Sequence, residues 1–255
     1  KMATAADLNK PIIWAVDFAA DNIKTEKLME LSGHNYITKV MGWSPDGNYL
    51  ITCCDYPLLW RDSSKGVKQI GKLTQDDSEV HAMHWSPDSK RVLIGTQKNH
   101  LFLHEIETKQ LIKKLELDYI PVGMAWDPLN NYLAVLTTEN CVTIFSPQNL
   151  ELKKKVSFNI GSSKFSDMNS KRLDRHIAWS PDGEYCICPS LEDRNELPIV
   201  CGINRTKDFT VTSVYAGPSA AITCVSFLNM LFKKDREFYS VFAVGDSDGN
   251  VSIWQ

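Results

Sequence analysis

The chain has 255 residues, enough for a sizeable buried core, and its 43% of hydrophobic and 23% of charged residues are typical of a folded globular protein. The net charge of −3 argues against a strongly basic nucleic-acid-binding protein. No apolar run approaches the roughly 18 residues that a membrane-spanning helix needs. We therefore expect neither a membrane partner nor sequence-specific nucleic-acid binding.

A five-residue motif recurs along the chain. It reads Trp-Ser-Pro-Asp-Gly at 43–47 and 179–183, Trp-Ser-Pro-Asp-Ser at 85–89 and Trp-Asp-Pro-Leu-Asn at 126–130, with degenerate copies near Phe18 and Phe227. Alternating apolar segments precede and follow each copy, as at 80–85, 91–95 and 100–104. This period-2 pattern, broken by turn residues, predicts short antiparallel strands and no long amphipathic helix.

The anchor aromatics are regularly spaced. The intervals are 42 residues from Trp43 to Trp85, 41 to Trp126, 53 to Trp179 and 48 to Phe227. A period of about 40–45 residues with four strands per unit is the signature of a WD40-repeat β-propeller. We therefore predict an all-β fold with a single propeller domain over residues 1–255. The longer intervals predict polar inserted loops at 153–171 and 229–238.

Two features indicate an incomplete propeller. Only 25 residues separate Phe18 from Trp43, too few for a four-stranded blade, and the last segment, 251–255, has the pattern of a third strand. We expect that parts of the propeller are missing from this sequence and that the native protein continues past Gln255.

Four polar and aromatic residues of the second repeat have a structural interpretation. His34, Thr52, Asp55 and Trp60 match the hydrogen-bonded network that ties neighbouring strands together in WD repeats. We predict a structural role for these four residues and, as anchors of the repeats, for Trp43, Trp85, Trp126 and Trp179. The acidic segment 246–250 is predicted to be a β-turn, because it lacks the spaced ligands of a calcium loop.

The sequence offers no catalytic or metal-binding constellation. The seven cysteines are odd in number and scattered, which favours reduced core thiols, and Cys186-Ile-Cys188 has no second pair to complete a zinc site. His100 and His104 lie about 13 Å apart on a predicted strand, and no phosphate-binding loop or nucleophile elbow occurs. We predict no metal, no cofactor and no enzyme activity.

Charged clusters are the candidates for partner contacts. Basic clusters lie at 153–155, 171–175 and 232–236, and acidic ones at 76–79 and 192–196. Each is either solvated surface or a contact on an exposed loop, and Phe165 and Phe232 are either tucked into the core or offered to a partner. The candidate partner-binding residues are Lys171, Arg172, Arg175, Phe232, Lys233 and Lys234.

Several segments together resemble one branch of WD-repeat proteins. They are the Lys-Pro-Ile-Ile strand at 10–18, Gly-Met-Ala-Trp-Asp-Pro at 123–128, the repeat at 171–183, Cys-Pro-Ser at 188–190, and Val-Phe-Ala-Val-Gly at 241–245 followed by Asp248 and Trp254. These segments are similar to the WD-repeat histone chaperone family of HIRA and the WD-repeat subunit of chromatin assembly factor. The resemblance covers nearly the whole chain.

The resemblance implies a seven-bladed ring in which residues 2–7 supply the outer strand of the last blade. It implies a nuclear, non-enzymatic scaffold subunit of a complex that deposits histones H3 and H4 in chromatin assembly. The implied partners are other histone chaperone subunits, and H3 and H4 bound directly or through those subunits. The bare repeat pattern also permits a WD-repeat scaffold of an unrelated complex, in translation or trafficking.

Overall fold

The computed structural model describes residues 1–5, 10–19, 22–34, 36–54, 56–73, 76, 78–157, 175–191, 198–218, 220–235 and 237–255. Within these ranges 22 strands form six sheets of three or four strands each. No helix in the described part of the chain is long and apolar enough to cross a membrane. By internal contacts the chain divides into two compact units, Lys1–Lys98 with Phe102–Ile112, and Asn99–Leu101 with Lys113–Gln255.

Two sheets lie wholly in the first unit. The first sheet consists of β1 (Met2–Thr4), β2 (Ile12–Ala19) and β3 (Asn22–Glu30). The second consists of β4 (Val40–Trp43), β5 (Tyr49–Cys53), β6 (Pro57–Ser63) and β7 (Gly66–Lys72). The third sheet, whose residues are divided between the units, consists of β8 (Val80–Trp85), β9 (Arg91–Thr96), β10 (His100–Glu105) and β11 (Leu111–Glu116).

Three sheets lie wholly in the second unit. The fourth consists of β12 (Pro121–Trp126), β13 (Leu133–Thr137), β14 (Cys141–Phe145) and β15 (Leu152–Ser157). The fifth consists of β16 (Ala178–Trp179), β17 (Tyr185–Leu191), β18 (Pro198–Asn204) and β19 (Thr210–Ala216). The sixth consists of β20 (Ile222–Lys234), β21 (Glu237–Asp246) and β22 (Val251–Trp254).

The all-β prediction is confirmed, and the described residues form six blade-like sheets, so the expectation of seven blades is not confirmed. In sheets two to five the strands follow one another in chain order, as in a meander. Their inner strands are buried on both faces: β13 and β18, for example, contain no exposed residue. Side chains from neighbouring sheets therefore form the core clusters, such as that of Val142, Ile144 and Trp179 in the second unit.

The first sheet contains the degenerate motif copy and corrects one prediction. Phe18 lies inside β2, paired with Ile23 of β3, and is 77% exposed. The strand Met2–Thr4 pairs with β2 and therefore belongs to the first sheet, not to the outer edge of the last one. The hairpin of β2 and β3 forms because its backbone groups pair along eight registered positions.

The two basic segments predicted as loops are strands. Lys153, Lys154 and Lys155 lie in β15, the edge strand of the fourth sheet. The segment at 229–238, predicted to be an inserted loop, instead prolongs β20 and β21 into a long hairpin. Polar composition misled the prediction in both places, because an edge strand needs no alternating apolar face to satisfy its backbone hydrogen bonds.

Candidate protein-interaction site

The recurring motif forms one hydrogen-bonded turn. In the second sheet the Ser44 hydroxyl donates to Asp46 Oδ1 over 2.6 Å and accepts from the Tyr49 amide over 2.9 Å. The amide of Asn48 donates to the same carboxylate oxygen of Asp46 over 3.1 Å. Equivalent turns are built by Ser86, Asp88 and Arg91, and by Ser180, Asp182 and Tyr185. The motif is therefore a rigid connection between the first two strands of a sheet.

The fifth position of the motif is glycine, serine or asparagine, and the backbone conformation at this position explains the choice. Gly47, Ser89, Asn130 and Gly183 all have a positive φ, between 59° and 72°. A side chain in this left-handed region carries a conformational cost that glycine avoids. Ser89 and Asn130 offset this conformational cost with side-chain hydrogen bonds. The Ser89 hydroxyl accepts from the Asp46 amide over 3.0 Å, and Asn130 Oδ1 accepts from the Trp126 indole N–H.

The motif tryptophans link successive strands and sheets. The Trp85 indole N–H donates to the Gly42 carbonyl over 3.0 Å, and Trp179 donates to the Ala125 carbonyl over 3.2 Å. Trp126 donates instead to Asn130 Oδ1 over 2.7 Å. For the buried indole nitrogen of Trp43 the described residues provide no acceptor.

The third turn contains a buried carboxylate that sequence reasoning missed. Asp127 replaces the serine of the motif, is fully buried, and accepts from the Leu129 and Asn131 amides, both over 3.1 Å. The guanidinium of Arg205 lies 3.7 Å from its Oδ2. A Cβ atom at Gly183 would lie 2.4 Å from Asp127 Oδ1, so the fifth sheet approaches this carboxylate through a glycine. The Asp in Trp-Asp-Pro was the only signal in the sequence.

Three of the four residues of the predicted polar network in the second repeat, His34, Thr52 and Trp60, are hydrogen-bonded to one another. His34 Nε2 lies 2.7 Å from Thr52 Oγ1, and the Trp60 indole N–H donates to the same hydroxyl over 2.8 Å. His34 Nδ1 lies 2.9 Å from the thiol of Cys54, and both residues are buried. Asp55 lies outside the described residues. The network joins the segment after β3 to two strands of the second sheet.

The acidic segment of the last repeat is a turn, as predicted. The carboxylate of Asp246 accepts from the amides of Asp248 and Asn250 and from the Asn250 side chain, and these hydrogen bonds lower the pKa of Asp246, that from the Asn250 side chain most. Nowhere in the described ranges do three or more His, Cys, Asp or Glu side chains gather as metal ligands.

Of the first cluster of predicted partner-binding residues, Lys171 and Arg172 lie outside the described residues. Arg175 is half-buried, and its guanidinium donates to Asn140 Oδ1 over 3.1 Å. Burial lowers the pKa of Arg175 below its ordinary value. The backbone carbonyl of Arg175 also lies so close to Gly123 that a Cβ atom there would meet it at 1.9 Å. Arg175 therefore joins the fourth sheet to the segment before the fifth.

The second cluster lies on a two-stranded projection. Beyond the last pairing of β22 with β21, at Phe242 and Trp254, β20 and β21 continue to pair as far as Lys234 and Glu237. We call residues 228–234 and 237–240 the arm. Four large apolar side chains of the arm are 40% to 66% exposed, namely Leu228, Met230, Leu231 and Phe238. Apolar residues grouped on a surface in this way are characteristic of interaction sites.

The candidate residues Phe232, Lys233 and Lys234 are all in this arm. Phe232 is half-buried and stacks on Tyr239, with ring centroids 5.4 Å apart, so it neither enters the core nor projects freely. The Lys233 ammonium lies 5.6 Å from the centroid of the Phe238 ring. The arm thus presents exposed apolar side chains beside two exposed ammonium groups.

The three lysines of β15 are each paired with a carboxylate. Lys153 pairs with Glu151 over 3.2 Å, Lys154 with Asp208 over 2.6 Å, and Lys155 with Asp118 over 2.7 Å. The Asp118 hydrogen bond is the main cause of a raised pKa at Lys155. This run is therefore a set of exposed ion pairs and a weaker candidate for a partner contact than the arm.

Family models match parts of the chain that carry these repeats. The model of the WD domain, G-beta repeat, matches residues 25–56 and 209–255, and that of the anaphase-promoting complex subunit 4 WD40 domain matches residues 58–122. Curated relatives match over most of the chain. Protein HIR1 of Candida albicans is 25% identical over 89% of the chain, and Protein HIR2 of Debaryomyces hansenii is 22% identical over 93%.

Chromatin assembly factors match at the same level. The chromatin assembly factor 1 subunit FAS2 homolog of Oryza sativa is 26% identical over 80% of the chain, and a chromatin assembly factor 1 subunit of Mus musculus is 24% identical over 70%. The chain is a WD40-repeat homologue of the HIR proteins and of chromatin assembly factor 1 subunits. The resemblance drawn from the sequence is therefore confirmed.

The chain spans only part of each of these relatives. It covers 28% of the Candida HIR1 protein, 26% of the Debaryomyces HIR2 protein, 46% of the rice subunit and 37% of the mouse subunit. The chain therefore spans less than half the length of each of these relatives.

Proposed function

We propose that this WD40 chain is a non-enzymatic scaffold in a nuclear histone chaperone complex that deposits histones H3 and H4. The observation that carries the proposal is the similarity to HIR1, HIR2 and chromatin assembly factor 1 subunits over 70% to 93% of the chain. Rigid sheets joined by hydrogen-bonded turns suit this role, because prearranged surfaces lose little conformational entropy when they bind a partner.

Its partners are the other subunits of that complex, and H3 and H4 bound directly or through those subunits. The arm is the surface best suited to hold one of them. It combines exposed apolar side chains with the ammonium groups of Lys233 and Lys234, so its preferred partner surface is apolar and flanked by acidic groups.

Affinity purification of the protein from its own cells, followed by mass spectrometry, tests the scaffold role. Recovery of H3 and H4 with other chaperone subunits supports it. Recovery of ribosomal, coat or anaphase-promoting complex subunits without histones would overturn the function and leave the WD40 fold intact.

The same experiment tests the arm with two double variants. Lys233→Glu with Lys234→Glu should reduce recovery of at least one subunit several-fold, whereas Lys65→Glu with Lys68→Glu, two exposed lysines of the second sheet, should not. Equal recovery with both double variants would remove the arm as a contact.

The basic segment at 171–175 needs a narrower test. Because Arg175 is half-buried and hydrogen-bonded to Asn140, reversing its charge would perturb the fold. We therefore propose Lys171→Glu with Arg172→Glu, which should weaken subunit recovery without lowering the melting temperature.

The seven-bladed ring and the single-domain organisation over residues 1–255 remain predictions.

A further inference from the structure

An aromatic cavity lies in the second unit beside the arm. It has a volume of about 230 Å³, and most of its lining is aromatic: Tyr185, Tyr215, Phe227, Phe238, Tyr239 and Phe242. This volume suits the tip of one side chain, since pockets for drug-sized ligands measure about 300–1,000 Å³. None of the described residues that line the cavity carries a formal charge on its side chain.

The rings form walls that stand at angles to one another. Tyr215 and Phe242 are 5.1 Å apart between centroids at an interplanar angle of 77°, and Phe227 and Phe242 are 5.4 Å apart at 50°. Trp254 packs against Tyr215, with centroids 5.6 Å apart. The cage is therefore held by contacts within the sixth sheet and with the fifth.

One ring of the cage already attracts a cation. The ammonium of Lys233 lies 5.6 Å from the centroid of the Phe238 ring, within the range of cation–π attraction. Phe238 lines the cavity and is 66% exposed, so an incoming group can reach its ring from solvent.

The lining selects among cations. A primary ammonium is strongly hydrated, and none of the described side chains in the lining offers it a carboxylate to offset the cost of removing that water. A quaternary ammonium spreads its charge over methyl groups, loses less hydration, and is held by aromatic faces. We propose that this cavity binds the trimethylated side chain of a lysine on a partner peptide. The proposal goes beyond the scaffold function and does not depend on it.

Three probes test the proposal on the 255-residue chain. They are Nα-acetyl-Nε-trimethyl-lysine methylamide, the same compound with an unmethylated lysine, and its neutral isostere with a tert-butyl group in place of trimethylammonium. Dissociation constants come from NMR titration. The trimethyl-lysine probe should bind about fivefold to thirtyfold more tightly than either of the others, as cation–π attraction in a partly desolvated site implies.

Three variants test where and how the probe binds. Phe238→Leu keeps an apolar side chain but removes the ring, and should lower affinity for trimethyl-lysine about fivefold, while Phe18→Leu, at a position 77% exposed in the first unit, should leave it unchanged. Lys233→Met removes the competing cation and should tighten binding of trimethyl-lysine but not of the isostere. Equal affinity for the isostere, no saturable binding, or wild-type affinity in Phe238→Leu would each overturn the proposal.

Discussion

The carboxylate of Asp127, fully buried immediately after β12, lies 3.7 Å from the guanidinium of Arg205, which follows β18. The pair connects the fourth and fifth sheets across 78 residues of sequence. A buried carboxylate that loses its cationic partner keeps its desolvation cost, and here only the amide hydrogen bonds from Leu129 and Asn131 would remain to offset it. The pair therefore matters more for the free energy of unfolding than the exposed ion pairs of β15.

The first prediction concerns this pair. Arg205→Met should lower the free energy of unfolding by about 2–3 kcal/mol, below the upper range for buried pairs because the Arg205 side chain is 22% exposed. Arg91→Met, which removes an ion pair of similar length, 3.6 Å to Glu105, but with both side chains about one-third exposed, should cost less than about 1 kcal/mol. Equal losses in urea denaturation would contradict the role of burial.

A second prediction tests the motif anchor. Trp126 is 3% exposed, and Trp126→Ala should lower the free energy of unfolding by about 3–5 kcal/mol through lost packing and the cavity left behind. Thermal unfolding measures the effect. A melting temperature within about a degree of the wild type would show that the tryptophan contributes little to the core.

The repeats and the inner strands could be predicted from the sequence because they depend on local chemistry. The strands at 80–85, 91–96 and 100–105 alternate or run apolar, and the structure confirms them. The anchor tryptophans and the turns beside them can be predicted because each motif consists of five consecutive residues. The family resemblance was found for the same reason, since its motifs are short local segments, some of them turns and some of them strands.

The sequence-based predictions failed in segments whose residues are mostly exposed, because burial does not impose an alternating apolar pattern there. In β3 no residue is fully buried and most are exposed, so its sequence carries no alternation to read. The arm was predicted as a loop because its residues mix apolar and charged side chains, yet backbone pairing holds it as a hairpin. The Asp127–Arg205 pair and the aromatic cavity join residues far apart in sequence, which no local pattern predicts.

A third prediction separates backbone strain from hydrogen bonding at Asn130. This residue has a φ of 59° and accepts the Trp126 indole N–H. Both Asn130→Ala and Asn130→Gly remove the acceptor, but only alanine carries the left-handed cost. Asn130→Ala should therefore be about 1 kcal/mol less stable than Asn130→Gly in chemical denaturation. Equal stability of the two variants would mean that the turn relaxes.

A fourth prediction concerns the hydroxyl shared by His34 and Trp60. Thr52→Val keeps the shape of the side chain but leaves the buried indole N–H of Trp60 without its acceptor, which should cost about 1–3 kcal/mol. Thr52→Ser retains the hydroxyl and should cost less than Thr52→Val. The Trp60 indole proton, followed by NMR, should exchange with water faster in Thr52→Val alone. Unchanged exchange would show that another group accepts this hydrogen bond.

The fifth prediction is a pH dependence arising in the second motif turn. Burial acts to raise the pKa of Asp88, but hydrogen bonds from Ser86 and the Lys90 amide, together with the positive charges of Lys90 and Arg91, outweigh it and leave the pKa below its ordinary value. A carboxyl with a lowered pKa in the folded state stabilises the protein above its unfolded pKa, about 3.9. That stability is lost as the pH falls through the folded pKa.

Asp88→Asn should therefore flatten the fall in melting temperature between about pH 5 and pH 2, because the variant has no proton to take up at this position. Ser86→Ala removes the hydroxyl that donates to Asp88 and should flatten the same slope less, since the Lys90 amide still donates. An acid slope identical to the wild type in Asp88→Asn would place the acid sensitivity elsewhere, with Asp46, the corresponding carboxylate of the first turn, as the next residue to replace.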